Sequence, residues 1–186
     1  MIENVFLIGP MGVGKTTVGR YLARLLGRKF YDSDREIVYR TGVSIPVIFE
    51  VEGEVGFRQR ERGMIAELTQ LNSIILATGG GAVLAAENRQ YLTQRGIVVY
   101  LYASAEQLHR RTMHDHNRPL LQTKNPLEYL KSLLKARDPL YREVADIMIK
   151  TGERPIRVVV NEVLQQLKLC KKGAYQKKMS CNGLKK

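Results

Sequence analysis

What the 186-residue chain lacks narrows its identity before any motif is read. No stretch approaches the roughly 18 consecutive apolar residues of a membrane span. The N-terminus runs into a strand-like segment without a basic region or signal-type apolar core, so a cytoplasmic protein with no membrane partner is expected. Cysteine is scarce: Cys170 and Cys181 stand near the C-terminus without the partner spacing of a zinc site, and both read as reduced thiols. There is no internal repeat. Nor is there a long linker, and 44% hydrophobic content at this length fits one well-buried core, so residues 1–170 read as a single domain.

Acids are outnumbered, 18 against 30 Lys and Arg, for a formal net charge of +12. The deficit is uneven. Residues 171–186, KKGAYQKKMSCNGLKK, hold six lysines and no acid, which is half of the excess. With little apolar content this tail is expected to be disordered and solvated. Weak electrostatic binding to RNA or another polyanion is the alternative, but no nucleic-acid motif accompanies it and no specific nucleic-acid partner is expected. The remaining positive surplus suits anionic small molecules.

The most informative stretch is GPMGVGKTT, residues 9–17, which follows the apolar run Val5–Ile8. It fits G-x-x-x-x-G-K-[ST], with Gly9, Gly14, Lys15 and Thr16 in the fixed places. A continuous β-branched or large apolar run suits a strand buried on both faces of a parallel sheet. The glycines bring backbone N–H groups close to an anion. Val18, Leu22, Leu25 and Leu26 recur at helical spacing, so the loop feeds a helix N-terminus whose partial positive charge faces the same anion. Lys15 can reach β/γ-phosphates, and the Thr16 hydroxyl can ligate Mg²⁺.

Apolar and amphipathic runs alternate along the rest of the chain. The pattern predicts strands at Val5–Ile8, Lys29–Tyr31, Ile74–Ala77, Val98–Leu101 and Ile147–Ile149, with helices at about 15–27, 57–71, 105–111, 126–136 and 155–168. That is an α/β fold, a parallel sheet covered by helices on both faces, with ligands gathered at the carboxyl ends of the strands.

Three strand-end segments carry candidate chemistry. DSD places Asp32 and Asp34 two residues apart, on one face of an extended segment, where one carboxylate can help hold hydrated Mg²⁺ and the other can orient an attacking hydroxyl. Helix capping by Ser33 or Asp34 is the alternative. Gly79–Gly81 expose backbone N–H groups, or form a plain flexible turn. In GEVGFRQRE, Arg58 and Arg60 fall at the predicted start of a helix, where arginine opposes the helix dipole unless an anion is present; solvated surface arginines are the bland reading. Phe57 reads as core or pocket wall.

Together GPMGVGKTTVGRYLA, FYDSDREI, IFEVEGEVGFRQRE, ATGGGAV, RPLL and ARDPLYREVAD, in this order, resemble the shikimate kinase family over about residues 2–168. The resemblance implies a three-layer P-loop kinase fold with a five-stranded parallel sheet of order 2-3-1-4-5. It implies the reaction ATP + shikimate → ADP + shikimate 3-phosphate, a step toward chorismate and the aromatic amino acids, by a monomer using Mg²⁺. Lys15, Asp34 and Arg118 would carry the chemistry. ATP would be held by Gly12, Val13, Gly14, Lys15, Thr16, Thr17, Arg111, Arg118, Arg154 and Pro155, with Arg111 and the Arg154–Pro155 pair on either face of adenine. Asp34, Arg58, Gly80, Gly81 and Arg137 would hold shikimate, and Thr16 and Asp32 would serve the metal. The substrate region would span roughly 33–61 and a lid roughly 112–125. Within that lid His114, Asp115 and His116 have metal-like spacing, but read as a solvated loop for want of a further ligand nearby. His109 reads as structural or exposed. Three competitors remain: a gluconate-type or nucleoside monophosphate kinase, a non-catalytic nucleotide-binding module, and nucleic-acid binding through the tail.

Overall fold

A computed structural model describes residues 4–113 and 125–182, with side chains in its last helix through residue 170. Five strands, β1 (Asn4–Ile8), β2 (Lys29–Asp32), β3 (Ile74–Ala77), β4 (Gly96–Tyr102) and β5 (Ile147–Lys150), form one sheet. All neighbours are parallel, in the order β2-β3-β1-β4-β5. Among the described residues seven α-helices connect and follow them: α1 (Lys15–Leu26), α2 (Ser33–Thr41), α3 (Ile45–Leu68), α4 (Ala86–Arg95), α5 (Ala105–Thr112), α6 (Pro126–Val144) and α7 (Ile156–Asn182).

The two faces of the sheet explain the apolar runs. Val5, Leu7, Ile75, Val99 and Leu101 point to one side, against Val18 and Leu22 of α1 and Val159, Val160 and Val163 of α7. Phe6, Ile8, Leu76, Val98 and Tyr100 point to the other, against Ile65 of α3, Leu92 of α4 and Tyr141 of α6. Central strands buried on both faces cannot alternate apolar with polar, which is why their signal is a run rather than a period of two. The result is the three-layer α/β/α architecture expected.

Several bounds differ from the sequence reading. Helix α3 begins at Ile45, not near residue 57, and is broken at Gly53, whose φ of 68° is the left-handed region. Arg58 therefore sits in the second turn after a break. The short α2 is the helix that the capping alternative places near Arg35, and α4 is the helix-like stretch that follows Gly79–Gly81, though the sequence pattern sets bounds for neither. Helix α6 runs eight residues past its expected end, through Pro139. Helix α7 continues to Asn182, so the backbone of 171–182 is helical where disorder was expected; its Lys, Ala, Gln and Met residues are good helix formers. Of the proposed lid, residues 114–124, with His114, Asp115, His116 and Arg118, lie outside the described residues.

Strands β2, β3 and β1 lie side by side, and their carboxyl ends lead into Asp32–Asp34, Thr78–Gly81 and the 9–14 loop. Sheet order thus brings three distant segments of sequence to one edge of the molecule.

Candidate active site

The 9–14 loop closes onto α1 through Gly14, whose carbonyl accepts the Val18 amide at 2.9 Å. No acid stands in the first turn of α1, so the positive end of that helix is left for an external anion. Lys15 is largely buried, and its Nζ donates to the carbonyls of Gly9 at 2.7 Å and Pro10 at 2.8 Å. The Thr16 hydroxyl donates to Asp32 Oδ2 at 2.7 Å.

Asp32 divides its two oxygens between tasks. While Oδ2 meets Thr16, Oδ1 caps α2 by accepting the amides of Asp34 at 3.2 Å and Arg35 at 3.4 Å. The cap is therefore Asp32, not Ser33 or Asp34, because Asp32 is the last extended residue before the helix. Asp34 enters the site from the first helical turn rather than from an extended segment, yet both carboxylates reach the same space. Ser33, fully buried, accepts the Gly79 amide at 2.9 Å and ties the exit of β3 to α2.

These groups line one cavity of about 660 Å³. Gly12, Gly14, Lys15, Thr16, Thr17, Asp32, Asp34, Arg58, Gly80, Gly81 and Arg137 all contribute to its wall, together with apolar Ile45, Phe49 and Phe57. Arg58 is fixed by Glu61 Oε2 at 2.8 Å and Glu54 Oε1 at 3.0 Å, and its guanidinium stands 5.3 Å from the Phe57 ring centroid. Gly81 is required for that placement, since a Cβ there would lie 2.2 Å from Arg58 Nη1. Arg137, nearly buried on α6, reaches the same cavity.

Two carboxylate oxygens in this wall, Asp34 Oδ1 and Glu61 Oε1, are buried without a hydrogen-bond partner. Such groups are costly unless a ligand completes them. Burial, then the neighbouring charges of Glu61 and Asp32, push the Asp34 carboxyl up to about 7, while Lys15 and Arg58 pull the other way. Burial also raises Glu61, opposed by Arg58 and Arg137. A carboxyl poised near neutrality beside a phosphate loop can accept a hydroxyl proton or simply orient it.

Other expected residues lie elsewhere. Val13 is a core residue under the loop. Arg111 is outside the cavity wall but borders the loop, with Nη1 3.5 Å from the carbonyls of Gly12 and Val13, and Nη2 donates to the Gly152 carbonyl. Arg154 donates to the Lys150 carbonyl at 2.9 Å and pairs with Glu162 at 2.5 Å, while the Pro155 carbonyl accepts the first amides of α7. Arg60 pairs with Glu52 on the surface at 2.6 Å and does not reach the cavity, because it is two positions round the helix from Arg58. The sequence reading missed Glu61, Ser33 and Tyr141. Glu61 stands three residues after Arg58, and Tyr141 four after Arg137, spacings that place each pair on one helix face.

The family model for shikimate kinase matches residues 11–168. A shikimate kinase of Nitrosococcus oceani is 73% identical over 175 residues, covering 94% of this chain and 92% of its own. A solved structure, shikimate kinase from Acinetobacter baumannii in complex with shikimate, superposes with a TM-score of 0.89 at 56% identity, covering 92% of this chain and 96% of that one. A gluconokinase from Sinorhizobium meliloti, at 17% identity and a TM-score of 0.66, shares the fold alone, over 95% of this chain and 97% of its own. Fold, cavity and these likenesses agree that the chain belongs to the shikimate kinase family.

Proposed function

We propose that the protein transfers the γ-phosphoryl group of ATP to the 3-hydroxyl of shikimate, giving ADP and shikimate 3-phosphate on the route to chorismate. The observation that carries this reading is one cavity in which a phosphate loop, two carboxylates and two arginines face one another. Shikimate is a small polyol with a single carboxylate. Arg58 and Arg137 supply cations for that carboxylate, and the unpaired oxygens of Asp34 and Glu61 can accept from ring hydroxyls. Gly80 and Gly81 offer main chain beside them.

On the nucleotide side, the 12–17 backbone would cradle the phosphates, and Lys15 would place its ammonium on the oxygens that gain charge in transfer. Arg111, Arg154 and Pro155 would flank the base, and Arg118 would close over the phosphates. Thr16 and Asp32 fit Mg²⁺: both are hard oxygen donors, 2.7 Å apart in the cavity wall. Bound there, the ion would neutralise charge on the β- and γ-phosphoryl oxygens. Among the described residues no cluster of three His, Cys, Asp or Glu could hold a metal, which suits an ion carried mostly by water and phosphate. Asp34 would orient the attacking hydroxyl and take its proton as transfer completes. The same reading has the enzyme working as a monomer in the cytoplasm, with ATP and shikimate as its partners.

An ADP-release assay with Mg²⁺ and, separately, shikimate, gluconate and several nucleoside monophosphates tests it. Stimulation by shikimate alone is expected; equal or greater turnover with another acceptor overturns the substrate assignment.

A further inference from the structure

The buried face of α6 carries an arrangement that the proposed chemistry does not use. Tyr141 is fully buried, yet its hydroxyl sits at the edge of the site, where it donates to the Gly80 carbonyl. The Arg137 guanidinium, one helical turn earlier on the same helix face, bears on that hydroxyl and draws its ionisation down against the effect of burial. A phenol offers one proton and two lone pairs, so it can donate to the carbonyl while accepting from the arginine. Burial pushes its ionisation up to about 12, which keeps that donor in place at any physiological pH. The ring itself is held by stacking on Tyr100, at 4.9 Å between centroids, and the Tyr100 hydroxyl donates to Asp138 Oδ1 at 2.7 Å.

We propose that Tyr141 is a positioning residue for acceptor binding: its hydroxyl locks the Arg137 guanidinium to the Gly80 main chain, so that carboxylate cation and glycine turn meet the substrate as one preformed unit. The proposal rests on the reading that Arg137 holds the substrate carboxylate. A long arginine on a helix would otherwise sample several rotamers, and each must be given up on binding. A hydroxyl anchored on the opposite side to a rigid carbonyl removes that freedom in advance. A ring that merely filled the core would need no oxygen here, because phenylalanine has the same shape.

Tyr141→Phe keeps the ring and its stacking and deletes only the hydroxyl. Expected is a roughly five- to fiftyfold rise in KM for shikimate, with KM for ATP within about twofold of wild type. In an Arg137→Ala background the same change should add little, since the residue it positions is gone. Tyr100→Phe, which breaks only the bond to Asp138, should leave KM for shikimate unchanged. Each variant is assayed well below its Tm. A lowered Tm with unaltered KM for shikimate, equal losses for both substrates, or a full additional loss in the Arg137→Ala background overturns the positioning role. Arg137→Ala alone separates the two ideas: if it leaves shikimate affinity intact, the carboxylate reading fails and this proposal with it. If Arg137→Ala weakens shikimate and Tyr141→Phe does not, only the positioning role falls.

Discussion

The unpaired oxygens of Asp34 and Glu61 converge on the α-carbon of Gly79: a methyl group there would stand 2.6 Å from Asp34 Oδ1 and 2.5 Å from Glu61 Oε1. Two acid side chains from different helices thus meet over a residue that has no side chain. Gly79→Ala should force both aside. Because Glu61 holds Arg58, the disturbance reaches the arginine as well. Loss of at least tenfold in kcat/KM for shikimate is expected, with nucleotide affinity, measured by fluorescent ATP-analogue titration, nearly unchanged. Wild-type kinetics would show that the crowding is absorbed elsewhere.

Asp34 gives a pH prediction whose sign is opposite to that of an ordinary paired carboxylate. Its pKa is raised from 3.8 to about 7 in the folded protein. Between those values the native state binds a proton that the unfolded chain does not, so stability from this group is present at low pH and falls as pH rises toward 7. Asp34→Asn should therefore stabilise the fold at neutral pH and raise Tm, the free-energy gain being bounded by about 4 kcal/mol, less the cost of burying the amide. The gain should shrink toward pH 4. Activity should be lost throughout. Thermal unfolding of both proteins across this range measures it, and a variant less stable than wild type at pH 8 would contradict the assignment.

Arg58 and Glu61 form a pair whose members cannot be removed singly without consequence. Glu61 is 1% exposed, so Arg58→Ala strands a buried charge and should cost about 3 kcal/mol. Adding Glu61→Gln should return much of that stability and none of the shikimate affinity. Chemical denaturation with parallel binding titrations separates the two effects. Recovery of binding in the double variant would remove Arg58 from the carboxylate site.

Lys15→Met should abolish most phosphoryl transfer, because the ammonium that would stabilise the transferring group is gone. A modest stability cost, about 1–3 kcal/mol, accompanies it, since the Gly9 and Pro10 carbonyls lose their donor. Turnover near wild type in folded protein would rule out the role.

Legibility of the sequence followed how local each signal was. The 5–26 segment could be read because strand, loop and helix are contiguous and Val18 and Leu22 keep helical spacing. Helix α3 was read only in its second half, because Gly53 interrupts it and the first half exposes Val47, Val51 and Val55 at 40, 76 and 81%. An element without a clean buried stripe gives little periodicity to detect. Arg58 and Arg137, 79 positions apart in the chain, were paired by resemblance. What the residues could not announce were their partners: Glu61 beside Arg58 and Tyr141 beside Arg137 become visible only when the helix phase is known. The Asp32 cap was missed for a similar reason, since a strand ending at Tyr31 or Asp32 looks the same in sequence.

Lys15 finally makes nucleotide arrival a competition rather than a simple docking. Its ammonium already holds two neutral carbonyl oxygens, and an arriving phosphate competes with them for its three N–H donors. Replacing a neutral acceptor by an anionic oxygen is downhill; replacing it by a ribose hydroxyl is not. The loop thereby favours phosphorylated nucleotides over bare nucleosides even where the base fits equally well, and it listens for charge before shape.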